Sequence, residues 1–216
     1  MYKKLLLAFV SIISINTVKA QTEKGSQMLG VSFGVNTSSS DTKYLEYSTN
    51  AMTNVHGKQT NYSIAPTYSY FVADNLDLGL SVGYGRSKQD YGSNNYPSNT
   101  ESNAFNAGIY LRKYFLYENK IGVRTGPMFN YQHGKYTQEY ASNQQSNSES
   151  ITNTYSGGLG LDFVYFPVKR LGLTAALGGI TYAHQDTKGT TPATSNSFDA
   201  SFANRFVFSI NYVFGN

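Results

Sequence analysis

Leu76-Asp77-Leu78-Gly79-Leu80-Ser81-Val82-Gly83-Tyr84 places an apolar residue at every even position and Asp, Gly or Ser at every odd one. Such strict alternation defines a strand with one apolar face, because successive side chains leave a strand on opposite sides. The second face decides the fold. In a soluble barrel it meets water and carries many charged side chains. Here it carries Gly79, Ser81, Gly83 and, next in line, Gly85. Small residues suit the crowded lumen of a narrow barrel, which leaves the apolar face pointing outward at lipid.

The same pattern recurs along the chain. Leu29, Val31, Phe33 and Val35 alternate with Gly30, Ser32 and Gly34; further runs are Tyr62 to Val72, Phe105 to Leu111, Ile121 to Tyr131 and Tyr155 to Tyr165. Leu171 to Leu177 is a seventh run, although Ile180 and Tyr182 fall on its other parity, and Phe198 to Phe214 is an eighth. Short links at Ala73 to Asn75, Leu116 to Asn119 and Pro167 to Arg170 alternate with long ones. The long links, Ser38 to Lys58, Lys88 to Thr100, Gly134 to Thr152 and Gln185 to Ser197, are rich in Ser, Thr, Asn and Gln and read as loops. Eight amphipathic strands with such links predict an all-β fold, an antiparallel up-and-down barrel whose closure removes both exposed edges. Tyr62, Tyr84, Tyr131 and Tyr155 on the long-loop side, and Tyr70, Tyr165, Tyr212 and Phe214 on the short-turn side, fit two interfacial aromatic girdles. Pro66 and Pro127 stand on the lipid parity, where each removes a ladder donor and predicts a local bulge.

Residues 1–20 have a different character. Lys3 and Lys4 precede an apolar run from Leu5 to Ile15, and Val18-Lys19-Ala20 offers a small-x-small exit before Gln21. This reads as a cleavable secretory signal peptide, too short in its apolar core to span a membrane as a helix. The barrel domain then occupies 21–216. Of the 17 basic residues three leave with the signal, so 14 remain against 13 acids. No clustered basic face survives, which excludes nucleic acid as a partner. The chain has no Cys, so disulfides and Cys-based metal sites are excluded as well. The charged fraction, 14%, is well below the roughly 25% of soluble domains.

The final run, with Phe206, Phe208, Tyr212 and Phe214 on one parity, stops two residues before the end of the chain. It resembles the last strand of bacterial outer-membrane proteins, whose near-terminal aromatic is read by the barrel-assembly machinery. From Ser26 to Phe214 the chain resembles the small eight-stranded OmpX/OmpA-type barrel family, and Gln21 after the cleavage site with Tyr/Asn/Ser-rich loops resembles its Bacteroidetes members. The resemblance implies the outer membrane of a Gram-negative bacterium, contact with outer-membrane lipid and lipopolysaccharide, short turns in the periplasm and long loops outside.

Two sets of candidate functional residues follow. Asp77, Arg112, Arg124 and Asp162 lie on the inward parity of four neighbouring strands, each near a short turn. Two acids and two bases at one level of a narrow lumen should pair, since isolated buried charges are too costly. They form either a rigid plug or the gate of a small pore. Asp199 and Arg205 share that parity on the last strand and could add an upper layer. Tyr44, Tyr47, Tyr136 and Tyr140 lie in two long polar links, a background that suits binding an extracellular ligand. His56, His133 and His184 sit near the long-loop rim with Asp41, Asp90 and Asp186 in the same links, but no spacing among them specifies a catalytic set. The expected role is therefore a structural or surface-binding, adhesive barrel that is not an enzyme and needs no cofactor. A passive pore comes second, and a rim enzyme acting on lipid A or peptides third.

Overall fold

The computed structural model describes residues 21–46, 51–91, 97–140, 147–189, 192–202 and 208–214. Nine strand segments run β1 (Gln27–Glu46), β2 (Ala51–Ala73), β3 (Leu76–Asp90), β4 (Pro97–Tyr117), β5 (Ile121–Tyr140), β6 (Ser148–Val168), β7 (Leu171–Gly189), β8 (Ala193–Phe202) and β9 (Phe208–Phe214). Each of the first seven pairs antiparallel with the next. β8 and β9 both pair with β7, at its outer and inner halves, and together hold the eighth place in the ring. β9 then pairs with β1, Gln27 opposite Phe214, and closes the sheet. The all-β eight-membered barrel expected from the alternation is the fold observed.

The apolar parity faces outward. Phe33, Ile64, Leu80, Val82, Phe105, Ile109, Phe129, Leu159, Ile180 and Ile210 are all exposed on the outer surface. Among the described residues no helix is long and apolar enough to cross a membrane. On the turn-side half β9 pairs with both β7 and β1, so the ladder groups there are satisfied within the sheet and the wall can face hydrocarbon. Among the described residues, β1 beyond Ser32 pairs only with β2, and β8 only with β7.

Three features of the strands depart from the sequence expectations. The long links are largely strand: β1 and β2 continue as a ribbon to Glu46 and from Ala51, and β5 and β6 to Tyr140 and from Ser148. A bilayer needs only about 9–11 residues per strand, whereas β2 has 23 and β6 has 21. The excess projects beyond the apolar band on the long-link side. Ribbons with water on both faces carry no apolar parity, so alternation could not reveal them.

The second departure explains the phase change in the seventh run. Leu161 pairs with Gly178 but Asp162 pairs with Ala176, so Leu177 is an extra residue in β7. This bulge flips the parity, moving the outward set from Leu173 to Ile180 and Tyr182. Gly178 adopts φ +147, and a Cβ there would collide with the Ser201 carbonyl.

Third, the proline bulges do not form. Register is unbroken across Pro66 (Ile64 opposite Tyr84, Thr67 opposite Ser81) and across Pro127 (Thr125 opposite Lys113, Met128 opposite Tyr110). Pro66 and Pro127 leave short gaps in one ladder and keep their places in the other, opposite Val31 and Leu159. An outward proline costs only local bonds, while a shift of register would turn every later side chain inside out.

Candidate functional site

The short turns build the floor of the lumen by one repeated device. Asn75, Glu118 and Asn119 take positive φ, which tightens the first two turns. Each turn or entry segment then offers a carbonyl to a residue on a neighbouring strand. Phe71 N–H donates to Ser26 O, Tyr114 N–H to Asn75 O, Phe166 N–H to Lys120 O and Val213 N–H to Arg170 O, at 2.7–2.9 Å. The four residues so held point inward. With Met28 and Val164 they form a packed apolar cluster in which none is more than 5% exposed. Residues 21–26 fold over the same end: Thr22 Oγ1 donates to Asn75 Oδ1 at 2.6 Å, and Lys24 N–H to Asp74 Oδ1 at 2.8 Å.

A charged layer lies directly on this floor, and it brings Asp77, Arg112, Arg124 and Asp162 together. Arg112 grips Asp77 through two parallel bonds, Nε to Oδ1 at 3.1 Å and Nη2 to Oδ2 at 2.7 Å. Arg124 Nε donates to Asp162 Oδ2 at 2.8 Å. The two pairs are joined by a residue that charge counting overlooked. Tyr114 Oη donates to Asp77 Oδ2 at 3.0 Å and accepts from Arg124 Nη1 at 3.0 Å. Tyr114 thus serves both layers, its ring packed against Phe71 at 5.4 Å and its hydroxyl bridging two ion pairs. The Arg112 guanidinium also lies 3.6 Å over the Tyr110 ring. Tyr110 in turn covers Gly79, where any Cβ would collide with the ring. Asp77 has no exposed surface and Arg124 only 6%, so the four charges meet their needs within the layer.

Asp199 is exposed on β8 and opposes Thr181, and Arg205 lies outside the described residues. Tyr47 and Phe206 also lie outside them. Tyr44 opposes Thr53 in the β1–β2 ribbon, whereas Tyr136 and Tyr140 share one face of β5. Those hairpins are separated by β3 and β4, so the structure does not join the loop tyrosines into one patch. Phe208 faces outward, and Tyr212 stacks on Phe214 with centroids 6.3 Å apart.

The rim histidines are held by three different hairpins. His56 Nδ1 contacts Asp41 Oδ1 at 2.7 Å, an exposed cross-strand pair. His133 and His184 each contact an asparagine, Asn153 and Asn196, at 2.8 Å. Among the described residues no cluster of His, Cys, Asp and Glu could hold a metal ion.

The ring of antiparallel strands, the apolar outer wall and the paired charges inside together define the fold of an outer-membrane β-barrel protein. No protein-family model and no curated protein matches the chain. Among solved structures it is similar to the outer membrane protein OprG from Pseudomonas aeruginosa, with 15% identity, a TM-score of 0.47, and coverage of 92% of this chain and 100% of that one. It is also similar to Ail, the attachment invasion locus protein of Yersinia pestis, with 11% identity, a TM-score of 0.38 and coverage of 88% and 99%. The translocator domain of autotransporter NalP from Neisseria meningitidis is similar at 12% identity and a TM-score of 0.45, over 92% of this chain. The chain spans only 65% of that domain's length.

Proposed function

We propose that the protein resides in the outer membrane as a sealed scaffold that holds β-ribbons at the cell surface for structural or adhesive contact. The observation that carries this reading is the floor. An apolar plug topped by a fully paired charge layer is a costly thing to open, since leaving a buried charge without its partner costs about 3–5 kcal/mol. A passive pore needs the opposite, a lumen that water can cross.

The ribbons supply the surface. Beyond Val35, residues 36–46 of β1 continue for about 35 Å of strand at about 3.3 Å per residue. This stretch is rich in Ser, Thr and Asn and holds Tyr44, residue types that adaptable binding loops use. In this reading the barrel-assembly machinery inserts the chain through its last strand, and an extracellular ligand meets the ribbons.

Two measurements test it. In planar bilayers the wild-type barrel should show no steady conductance; a stable open channel would replace the scaffold with the pore. Shortening the β1–β2 and β5–β6 ribbons should abolish adhesion of expressing cells to a host-cell monolayer, while the heat-dependent shift of the folded barrel on an SDS gel persists. Unchanged adhesion after both deletions would remove the surface-binding role.

A further inference from the structure

On the outward face of three hairpins one group of side chains recurs at the upper edge of the long-loop-side aromatic girdle. On β3–β4 it is Tyr84, Arg86 and Asn103; on β5–β6 it is Tyr131, His133 and Asn153; on β7–β8 it is Tyr182, His184 and Asn196. In each group the basic residue lies directly across from the asparagine. The tyrosine, one step nearer the membrane, donates its hydroxyl diagonally to the same asparagine Oδ1 at 2.8, 2.9 and 3.0 Å. Opposite the three tyrosines stand Phe105, Tyr155 and Phe198.

The hydrogen-bond inventory of the two histidine groups says what they leave free. Asn153 Oδ1 and Asn196 Oδ1 each accept from a tyrosine hydroxyl and lie 2.8 Å from a histidine Nδ1. With the oxygen as acceptor, Nδ1 carries the hydrogen, an assignment made from the contact itself. The neutral ring then keeps a lone pair at Nε2, and the asparagine keeps its amide hydrogens. Each group thus offers an acceptor and a donor side by side.

Two of the nearby cations are paired in place. Arg86 pairs with Glu101 at 2.6 Å and Lys135 with Glu149 at 2.7 Å. Between the first two groups the surface hollows into a groove of about 330 Å³ lined by Asn99, Glu101, Asn103, Lys135, Thr137 and Glu139. In its wall Asn99 Oδ1 has no hydrogen-bond partner among the described residues.

We infer that this collar binds the sugar headgroups of outer-leaflet glycolipids, reading hydroxyls and not phosphates. A sugar hydroxyl both donates and accepts, and it matches a surface that shows paired donors and acceptors. A phosphate only accepts, and the free Nε2 lone pairs would oppose it. The aromatic rings immediately below offer flat apolar faces to the ring carbons of a sugar, at the depth where headgroups begin. This inference rests on the membrane-barrel reading.

The mature chain would be reconstituted into phosphatidylcholine discs doped equally with a diglucosyl diacylglycerol and phosphatidylglycerol. Native mass spectrometry would count the lipids retained on the released protein, and an SDS gel, boiled and unboiled, would report the folded barrel. The wild type should retain the glycolipid over phosphatidylglycerol by about fivefold or more, the factor that one or two net hydrogen bonds supply. The pair Asn153→Ala with Asn196→Ala should bring the ratio near one with the gel shift intact. If that variant loses its gel shift, His133→Phe with His184→Phe keeps the bulk, removes the acceptors and should lower the ratio in its place. Equal or greater retention of phosphatidylglycerol by the wild type would overturn the inference, as would full enrichment in the folded variants. A wild type with no gel shift would instead defeat the membrane-barrel reading beneath it.

Discussion

Tyr114→Phe isolates the one atom that ties the two ion pairs together. The substitution keeps the ring that packs on Phe71 and removes only the hydroxyl that donates to Asp77 and accepts from Arg124. Asp77 retains both bonds from Arg112, and Arg124 retains Asp162. The loss is therefore two hydrogen bonds to charged groups with neither charge stripped of its partner. Such bonds are each worth about 1.5–3 kcal/mol, and relaxation of Arg124 recovers part, so about 2–4 kcal/mol of stability should go. Urea unfolding in phosphatidylcholine vesicles, read by the unboiled gel band, measures it. At a slope of about 1–3 kcal/mol per molar, the midpoint should fall by about 1–2 M. Tyr114→Ala should cost more, since it also opens a cavity in the floor at about 3–5 kcal/mol for a large aromatic. A Tyr114→Phe barrel within about 0.5 kcal/mol of wild type would refute the bridging role and reduce Tyr114 to a packing residue.

Gly178→Ala puts a Cβ against the Ser201 carbonyl at a φ of +147; it should cost about 1–3 kcal/mol by the same urea assay, and a neutral result would mean that the bulge is not held there. Gly79→Leu should also destabilise by about 1–3 kcal/mol through overpacking against Tyr110; unchanged stability would show that Tyr110 can leave Arg112 freely. Glu101, above the apolar band, is held below the usual carboxylate value by the Asn103 amide and then by Arg86. A lowered folded value means a contribution present above about pH 4.3 and lost as pH falls through the folded value. Acid titration of stability should show that loss in wild type and not in Glu101→Gln, and identical profiles would rule it out.

How much of this was legible in the sequence depended on whether the two faces of a strand differ in chemistry. Where one face meets lipid and the other a crowded polar lumen, as in Leu76 to Tyr84, alternation gives both strand and inside-out sense. Contrast vanishes at both ends of the barrel. In the outer ribbons both faces are wet, so the link from Ser38 to Lys58 looks like a loop although Ser38 to Glu46 pairs residue by residue with the segment from Ala51 to Gln59. The bulge at Leu177 left a trace, a phase change between Leu173 and Ile180, which an insertion of one residue accounts for and a weak strand does not.

At the turn end the contrast is lost for the opposite reason, because both faces are apolar. Tyr70-Phe71-Val72, Tyr114-Phe115-Leu116-Tyr117, Tyr165-Phe166-Pro167-Val168 and Tyr212-Val213-Phe214 stand at corresponding ends of β2, β4, β6 and β9. One parity supplies the lower girdle and the other the floor, so a reading that hunts for alternation discards the floor as noise. Charge counting located the four ionised residues because Asp and Arg on an inward parity are rare. It passed over Tyr114, which carries no charge to count. The missing signal was position: Tyr114 follows Arg112 by two residues, shares its parity and therefore must enter the lumen beside it. A charged layer set on an apolar floor needs at that junction a side chain that is apolar along its body and polar at its tip. Tyrosine meets that requirement, and the dry floor keeps water from competing for the bonds that its hydroxyl makes above.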